Sequence, residues 1–420
     1  FGAVAVILYG MSGRLAMRSL WWRWGRVQWL VALGLFPALL LLFQKTSLVA
    51  PLANLLAVPW VSLVTVPLTL AGAVLLGTLP VLGEWLLGLA LWSVDALWWW
   101  LELLGQWRFA QWSQIAPPAW AMTAALLGLL WMLAPRGVPT RWVGVFGFFP
   151  LVFMSPTALL LGEAKVALLD VGQGLAVVVR TRSHTLVYDT GPRFSTQFDT
   201  GSAVIAPYLR YSGVPFIDRL VVSHGDNDHI GGAESLIREI PVHQITTSVP
   251  ARLANYSQIV HKCWSGQRWD WDGVHFEMLS PPESRTIRGN NGSCVLHIEG
   301  RYGSVLLPGD IEREQEAWLI EQYGKGLAAQ LLVAPHHGSR TSSSMDFVQS
   351  IRPRLTLFPV GYLNRYHHPD DRVVQRYQET GSDILLTPAT GAVRVTFTKS
   401  GRSVHVWREE NRRFWFHLPQ

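Results

Sequence analysis

The first 162 residues consist of long apolar runs separated by short polar stretches. Each run is long enough, at about 20 residues per span, to cross a bilayer as a helix. The runs cover residues 27–44, 49–80, 82–104, 117–134 and 142–161. The second run contains Pro51, Pro59 and Pro67, which predicts either one kinked helix or a re-entrant segment. A buried soluble core is the alternative, but five such runs in succession favour an α-helical transmembrane bundle over residues 1–162.

From residue 163 onward the pattern changes to short β-rich runs alternating with amphipathic helices. Val166–Val171 and Ala176–Arg180 are typical of strands, and Ile217–Ser223 is an apolar strand that leads directly into His224. Gly231–Ile240 follows as a helix with one apolar face. Polar residues cluster just past strand ends, where α/β folds build their sites. Residues 163–420 are therefore predicted to form an α/β domain.

Charge is distributed unequally between these two regions. The first 162 residues carry eight Lys or Arg and three Asp or Glu, whereas the rest carry 27 and 26. The basic balance thus comes mainly from the apolar region and does not predict a strongly basic nucleic-acid-binding domain. Basic residues at 14–26 and at Arg136 and Arg141 fit the cytoplasmic side if four spans separate them. A fifth span would then leave everything after about residue 162 outside the cytoplasm.

The ends and the cysteines add two expectations. The chain begins without Met or a signal-peptide pattern, so it is expected to be a fragment that lacks earlier spans. Cys263 and Cys294 both lie in the predicted α/β domain. They could pair in an oxidising compartment or remain as two small buried residues.

The most informative stretch for chemistry runs from Ser223 to Gly232. It places His224, Asp226, Asp228 and His229 within six positions after an apolar strand. A tight loop can bring these four side chains together, and imidazole with carboxylate suits first-row divalent ions. The two glycines that follow let a helix begin close to such ions. A solvated polar loop is the alternative, but it does not explain the preceding apolar strand.

This HxDxDH loop resembles the signature of the metallo-β-lactamase superfamily, with Asp226 where many members have His. Two later stretches match in order: Leu306-Leu307-Pro308-Gly309-Asp310 and Pro335-His336-His337-Gly338-Ser339. The resemblance implies an αββα sandwich over residues 163–420. It also implies that Asp310 bridges two divalent metal ions and that His336 supplies a late ligand, with His337 as the fallback.

Further stretches resemble the ComEC competence family. In the α/β domain they are 169–174, 188–191, 207–210, 289–293 and 368–369, and in the apolar region 48–59. The resemblance implies a competence transmembrane domain at 1–162, with the family's usual N-terminal portion absent. It implies a multi-pass inner-membrane channel that takes up single-stranded DNA in natural transformation, with its hydrolase domain on the periplasmic or extracellular side. The implied partners are DNA, membrane lipid and other competence proteins.

Three departures from the superfamily pattern affect the expected metal site. A further His ligand often lies between the loop and the bridging Asp, where this chain offers Asn290, Asn291 and Ser293. His297 could substitute only if its strand turned it inward. Asp226 hardens the site, which favours manganese or magnesium more than an all-His zinc site does. Many family members also carry an acidic residue where this chain has Leu175.

The resemblance implies two-metal hydrolysis, in which the ions activate water and hold the scissile phosphate. The implied roles fall into two groups. The expected ligands are His224, Asp226, Asp228, His229, Asp310 and His336, with Asp228 and His229 catalytic and Asp228 orienting the nucleophile. The expected substrate contacts are Asn291, Ser293, His337 and His368.

The sequence also suggests roles for several residues outside the expected ligand set. Asp189 is expected to support a ligand, whereas Asp170 either does the same or caps a turn that Gly172 and Gly174 permit. Trp264, Trp269 and Trp271 near Arg268 could stack nucleic-acid bases, but packing against the core is favoured.

Three functions remain open from the sequence. The first is a DNA channel whose hydrolase domain degrades the strand that is not transported. The second is a channel with a catalytically silent domain, which the missing middle His supports. The third is a membrane-anchored hydrolase of a small ester or lipid, in which Asp95 and Glu102 in the third apolar run have no role in transport.

Overall fold

A computed structural model of the chain describes residues 20–107, 109–115, 117–134, 137–154, 158–256 and 259–412. The chain divides into two units: residues 1–156 with 210–213, and residues 157–209 with 214–420. Arg14, Arg18 and Arg136, on which the predicted orientation depends, lie outside the described residues.

The first unit is helical. Its elements are α1 (Leu20–Phe43), β1 (Lys45–Ser47), α2 (Ala50–Leu76), α3 (Pro80–Gly105), β2 (Gln111–Ser113), α4 (Ala119–Leu133), a 3₁₀ helix (Arg141–Phe148) and α5 (Phe149–Phe153). Among the described residues, α2 and α3 are long and apolar enough to cross a membrane. The other apolar helical stretches, Val27–Phe43, Ala119–Leu133 and Arg141–Phe153, are shorter.

The proline-rich second run forms one continuous helix, α2, and is not broken into two segments. It contains a π turn at Val61–Thr65, between Pro59 and Pro67. Each proline lacks an N–H and frees a carbonyl one turn earlier, and a local widening of the helix accommodates this. Polar contacts join the turn to α3, since Thr65 Oγ1 lies 2.9 Å from Ser93 Oγ.

The run at 142–161 does not form the single long helix predicted for it. Its helical part ends at Phe153, and seven of its residues, 142–148, are 3₁₀. The close approach to α4 explains why bulky residues are excluded here: a Cβ on Gly144 would lie 2.3 Å from the carbonyl oxygen of Gly128. At ~1.5–2 Å rise per residue, Arg141–Phe153 is shorter than the ~30 Å of a bilayer core. The fifth predicted span is therefore corrected to a short helical segment.

Two β-sheets dominate the second unit. Their strands are β3 (Ala164–Leu168), β4 (Val177–Arg180), β5 (Thr185–Tyr188), β6 (Ile217–Val222), β7 (Val242–Thr247), β8 (Val260–Lys262), β9 (Arg268–Trp271), β10 (Val274–Ser280), β11 (Val295–Gly300), β12 (Gly303–Leu307), β13 (Leu331–Val333), β14 (Leu355–Phe358), β15 (Asp383–Leu386), β16 (Val393–Thr398) and β17 (Gly401–Val406). One sheet has the order β17-β16-β3-β4-β5-β6-β7-β8, and the other β15-β14-β13-β12-β11-β10-β9.

Helices cover the outer faces of both sheets. They are α6 (Ala206–Tyr211), α7 (Asn227–Ile230), α8 (Ala233–Glu239), α9 (Pro250–Leu253), α10 (Arg313–Tyr323), α11 (Met345–Ile351), α12 (Asp371–Glu379), α13 (Thr387–Thr390) and α14 (Trp407–Glu410), with a π turn at Gly201–Ile205 and 3₁₀ turns at Asn290–Gly292, Gly324–Leu327 and Pro335–Gly338.

Alternation along the strands creates the layers. Val166 and Leu168 of β3 pack with Phe276 of β10 in the core between the sheets. Ala167, which points the other way, packs against helices on the outer face together with Leu236 of α8. A third core lies between the second sheet and α10–α12. The second unit is thus an αββα sandwich with the metallo-β-lactamase fold, as predicted.

Strand direction determines where the polar residues meet. β5 pairs in parallel with β6, and β12 pairs in parallel with β13. Asp189 directly follows β5, His224 lies two residues beyond β6, Asp310 three beyond β12, and His336-His337 begin three beyond β13. Parallel neighbours end at the same edge of their sheet, and such edges are where open α/β folds carry ligands.

Candidate metal centre

The loop after β6 is held tightly against its neighbours. After His224 and Gly225, Asp226 precedes the single turn of α7, which contains Asp228 and His229. A Cβ on Gly231 would lie 2.2 Å from the backbone nitrogen of Arg193, and one on Gly232 would lie 2.4 Å from the carbonyl oxygen of Thr190. The two glycines therefore permit backbone-to-backbone packing that a side chain would prevent.

Four side chains converge at this edge of the sandwich. One ligand atom from each of Asp228, His229, Asp310 and His337 lies within 4.8 Å of the others. His229 Nε2 is 3.1 Å from Asp310 Oδ1, and His337 Nε2 is 3.2 Å from Asp228 Oδ2. We refer to these four residues as the quartet. It combines two imidazoles with two carboxylates, a donor set that suits a divalent first-row ion.

His229, Asp310 and His337 of the quartet are buried, yet their inward atoms lack hydrogen-bond partners. Nε2 of His229, Nε2 of His337 and Oδ1 of Asp310 are all inaccessible to solvent and make no hydrogen bond, as is also true of Nε2 of His224. Buried polar atoms without partners are costly and rare in proteins. Among the described residues, Asp228 and Asp310 form ion pairs with histidines and with no lysine or arginine. A bound cation would satisfy these atoms, so the residues present fit a divalent metal ion.

Electrostatics keep the carboxylates of the quartet ionised. Burial raises the pKa of Asp228, but the neighbouring imidazoles of His337 and His229 outweigh it and lower the pKa to about 2. The pKa of Asp310 lies well below its ordinary value because His229 and His337 outweigh its burial. Conversely, burial lowers the pKa of His229, but Asp310 and Asp189 raise it well above the ordinary value.

Asp189 supports the quartet from behind, as the sequence predicts. Its Oδ2 lies 2.7 Å from Nδ1 of His229, and its two oxygens accept hydrogen bonds from the backbone N–H and hydroxyl of Ser223. The backbone of Asp189 is left-handed, with φ of 58°, which is uncommon outside glycine. A carboxylate that holds the outer nitrogen of a metal-ligating His fixes the ring and its tautomer.

The two neighbouring histidines after β13 have different surroundings. His337, predicted as the fallback ligand and substrate contact, lies in the quartet, and its Nδ1 is 2.8 Å from the carbonyl oxygen of Pro359. His336, predicted as the ligand, lies beside the quartet: its Nε2 is 3.9 Å from Asp310, and its Nδ1 is 3.3 Å from Glu312. The structure therefore places His337 in the quartet and His336 beside it.

His224 and Asp226 form a less complete group next to the quartet. Their Nε2 and Oδ2 atoms are 3.5 Å apart, and the Asp226 side chain is 62% exposed. His297 does not turn inward, since its Nε2 lies 3.2 Å from the carbonyl oxygen of Ala328. Ser293 is near this group, with its hydroxyl 3.4 Å from Nδ1 of His224. The middle His is thus not replaced by another imidazole among the described residues.

The predicted substrate contacts lie in three different settings. Asn291 accepts a hydrogen bond from the backbone N–H of Glu312, at 2.8 Å. Ser293 is fully buried, and its hydroxyl bonds Asn290 O and Asp310 N, so it holds the loop and is not accessible to a substrate. His368 is half-buried, with its ring 6.1 Å from that of His336. Burial, together with His337 and His336, lowers the pKa of His368 and favours its neutral form.

Other predicted residues stabilise the fold around the site. Asp170 accepts hydrogen bonds from Gly172 N and from Arg408. A Cβ on Gly174 would lie 2.6 Å from the carbonyl oxygen of Asp228. Leu175 is buried in the inter-sheet core.

The tryptophan cluster has a packing role, as favoured from the sequence. Trp269 stacks on Phe276 at 5.2 Å, and both Trp269 and Trp271 pack against the inter-sheet core. Arg219 lies over Trp269, with its guanidinium carbon 3.8 Å from the ring centroid. These rings are therefore not free to stack bases.

Cys263 and Cys294 form a disulfide that links residues 31 apart in the chain. Of the two possibilities left open by the sequence, the structure has the paired one. Cys294 follows Ser293, and its backbone N–H donates to Ser223 O at 3.0 Å. This hydrogen bond connects the residue that precedes β11 to the residue that precedes His224.

Two regions of the chain match two different protein families. Residues 1–139 match the competence protein family model, and residues 169–361 match that of the metallo-β-lactamase superfamily. The competence protein ComA of Neisseria gonorrhoeae is 35% identical over 96% of this chain and 55% of its own length. The uncharacterized protein YcaI of Escherichia coli K12 is 30% identical over 92% of this chain and 50% of its own length.

Among solved structures, the metallo hydrolase Igni18 of Ignicoccus hospitalis is similar to this chain with 15% identity and a TM-score of 0.39. That similarity covers 56% of this chain and 98% of Igni18. The chain spans about half the length of the curated relatives it matches. The resemblance inferred from the sequence motifs is confirmed by the two family models and by relatives that match most of the chain. Over most of its length the chain is therefore similar to competence proteins, with a region that matches the competence protein family model followed by a region that matches the metallo-β-lactamase superfamily model.

Proposed function

We propose that this chain takes up DNA across the inner membrane and that its second unit hydrolyses phosphodiester bonds of the strand that is not transported. The observation that carries the hydrolase part is the quartet, with its buried, unpartnered Nε2 and Oδ1 atoms. A divalent cation held there would act as a Lewis acid on the phosphate oxygens. The match of residues 1–139 to the competence protein family model and the name of the Neisseria relative support the uptake part.

The residues of the site suit this chemistry individually. Asp228 is ionised at neutral pH and about 30% exposed, so it can accept a hydrogen bond from an attacking water and orient it. Asp310 and His229 are buried and fixed by Ser293 and Asp189, which makes them supports for a cation. We propose one complete ion site in the quartet and a weaker second site at His224 and Asp226. Their carboxylates favour manganese or magnesium over zinc.

We also propose that the first unit spans the inner membrane several times and that the second unit lies outside the cytoplasm. The two long apolar helices α2 and α3 support the membrane part. The Cys263–Cys294 disulfide supports the placement of the second unit, because disulfides persist in oxidising compartments and are rare in the cytosol. Lipid, DNA and other competence proteins are the proposed partners, and residues 1–162 and 163–420 the proposed domains.

The test uses the full chain in detergent micelles with labelled single- and double-stranded DNA. Manganese, magnesium and zinc are added separately, and Asp228→Asn is compared with wild type. We expect hydrolysis in at least one metal, abolished by chelation and reduced about 10³-fold or more in Asp228→Asn. Asp270→Asn, at an exposed position of β9, is the matched control. Intact DNA with every metal, together with normal uptake by Asp228→Asn in a transformable host, would remove the nuclease from the proposal.

A silent domain is the second candidate, favoured by the absence of an imidazole in the position of the middle His. It predicts that Asp228→Asn folds normally and supports uptake at the wild-type level. Hydrolysis of a small ester but not of DNA would instead indicate the membrane-anchored hydrolase.

A further inference from the structure

Four aromatic rings of the second unit are unusually exposed. Phe194, Phe198, Tyr362 and Tyr366 are 59%, 53%, 62% and 50% exposed. Among the described phenylalanines, tyrosines and tryptophans of this unit, no other ring is at least half exposed. All four lie in two short segments, residues 192–199 and 361–369, which we call the first and second aromatic loops. Exposed apolar groups that cluster in this way mark interaction sites more often than chance exposure does.

Both loops are closed by their own hydrogen bonds. In the first, the backbone N–H groups of Phe194 and Ser195 donate to Phe198 O, and the two phenyl rings stack at 5.6 Å. In the second, the Asn364 side chain donates to Gly361 O and His368 O and accepts from His368 N. The rings are therefore held in place before any ligand arrives, which reduces the entropic cost of binding.

Both loops lie next to a turn that contacts the quartet. The turn at Gly172-Gln173-Gly174 joins them: Gln173 Oε1 accepts from Gly361 N at 3.1 Å, and a Cβ on Gly172 would lie 3.9 Å from the Phe194 ring. Gly174 contacts Asp228 of the quartet at the same turn. In the second loop, Tyr366 stacks on His368 at 5.8 Å, and His368 lies next to His336.

Arginine side chains lie in or near the two aromatic loops. The guanidinium carbon of Arg365 lies 4.7 Å from the centroid of the Tyr366 ring. Arg193 lies in the first loop, where it pairs with Glu234 and Asp199, and Arg252 donates to the carbonyl oxygen of Gly225 in the His224–His229 loop. Rings with neighbouring positive charge suit a ligand that carries both flat bases and phosphates.

We propose that the two aromatic loops stack bases of single-stranded DNA on either side of the quartet, so that the phosphate between the stacked bases lies over the metal site. This inference rests on the proposed function and specifies the form of its substrate. A single strand is favoured because bases within a duplex are already stacked on each other and unavailable. Base stacking would also explain why these four rings are exposed, since hydrolysis by the metal site alone does not require them.

The test compares two ligands with the same phosphates: a 12-nucleotide single strand and an abasic 12-mer. Their affinities for the full chain in detergent micelles are measured in EDTA, so that binding does not depend on cleavage. We expect wild type to bind the base-bearing strand about 10-fold or more tightly than the abasic one. Phe198→Leu and Tyr366→Leu should each reduce this preference several-fold, and the double variant should abolish it. Tyr211→Leu, outside both loops, is the matched control and should keep it.

The outcomes separate this inference from the proposed nuclease. Manganese binding by each variant reports that the quartet is intact. Equal affinity for the two ligands in wild type, or an unchanged preference in the double variant, would overturn the role of the loops. Cleavage in manganese without a preference for bases would support the proposed nuclease and contradict base stacking by the loops. A preference for bases without cleavage would support base stacking and contradict the nuclease.

Discussion

At the residue scale, the neighbouring residues His336 and His337 have different surroundings: His337 lies in the quartet, and His336 lies beside it. Both have left-handed φ values, 49° and 55°, which non-glycine residues rarely adopt. This twist directs His337 toward Asp228 and Asp310, while His336 faces Glu312 and Thr341. Such strain is typical of sites whose surroundings fix the backbone.

We predict that His337→Ala lowers the affinity for manganese by at least about 100-fold, because loss of a supporting partner alone costs ~10–100-fold. His336→Ala, its neighbour outside the quartet, should change the affinity by less than about 10-fold. Isothermal titration calorimetry of the two variants measures the difference. A larger loss in His336→Ala would restore the order predicted from the sequence.

Asp189 gives a second residue-scale prediction. Asp189→Ala removes the acceptor for His229 Nδ1 and for both donors of Ser223. We expect manganese affinity to fall about 10–100-fold, even though Asp189 is not in the quartet. Asp218→Ala, which loses one hydrogen bond to Thr185 N, is a control for the loss of a carboxylate elsewhere and should bind manganese normally.

At the scale of elements, the His224–His229 loop was predictable because four candidate ligands within six residues leave few alternatives. The choice within His336-His337 was not, since it depends on two φ angles that no residue type there encodes. The run at 142–161 was misjudged because apolar composition does not specify helix length, and Gly144 and Gly147 pack closely on α4. β17 was not predicted, because it carries arginine, serine and histidine and only two apolar side chains, Val404 and Val406.

The backbone of Gly232 packs closely against Thr190 and Gly201, and adding one methyl group at Gly232 tests how much this packing stabilises the second unit. In Gly232→Ala the Cβ would lie 2.4 Å from backbone atoms of both, and neither can rotate away. We expect a loss of about 2–3 kcal/mol in the free energy of unfolding of the second unit. Gly326→Ala, whose nearest neighbour lies 3.9 Å from the new Cβ, should change it by less than about 0.5 kcal/mol. Hydrogen exchange of β5 and β6 provides the measurement.

The disulfide provides a second test at this scale. Closing a loop of 31 residues stabilises the folded state by about 3–4 kcal/mol in the chain-entropy model. Cys263→Ala with Cys294→Ala should therefore speed hydrogen exchange in β10 and β11. A reductant should have the same effect on wild type and none on the double variant. Unchanged exchange in reduced wild type would show that the sandwich does not depend on this link.

For the whole molecule, the proposed channel depends on charge within α3. Asp95 lies in the middle of this helix and is exposed on the surface of the first unit, whereas Glu102 lies near its end. A carboxylate at mid-membrane depth is costly unless it faces water or another polar group. We expect Asp95→Asn to lower transformation about 10-fold or more, and Glu102→Gln to have little effect. Normal transformation by Asp95→Asn would favour the role of α3 as a simple anchor.

The quartet is assembled from residues as far apart as Asp228 and His337, on loops of both sheets. A nascent chain therefore has no preformed binding site until β13 has joined the second sheet. If the second unit folds outside the cytoplasm, its metal comes from the supply in that compartment and not from cytosolic stores. Chain purified from cells starved of external manganese should then be correctly folded but inactive, and recover when the ion is supplied.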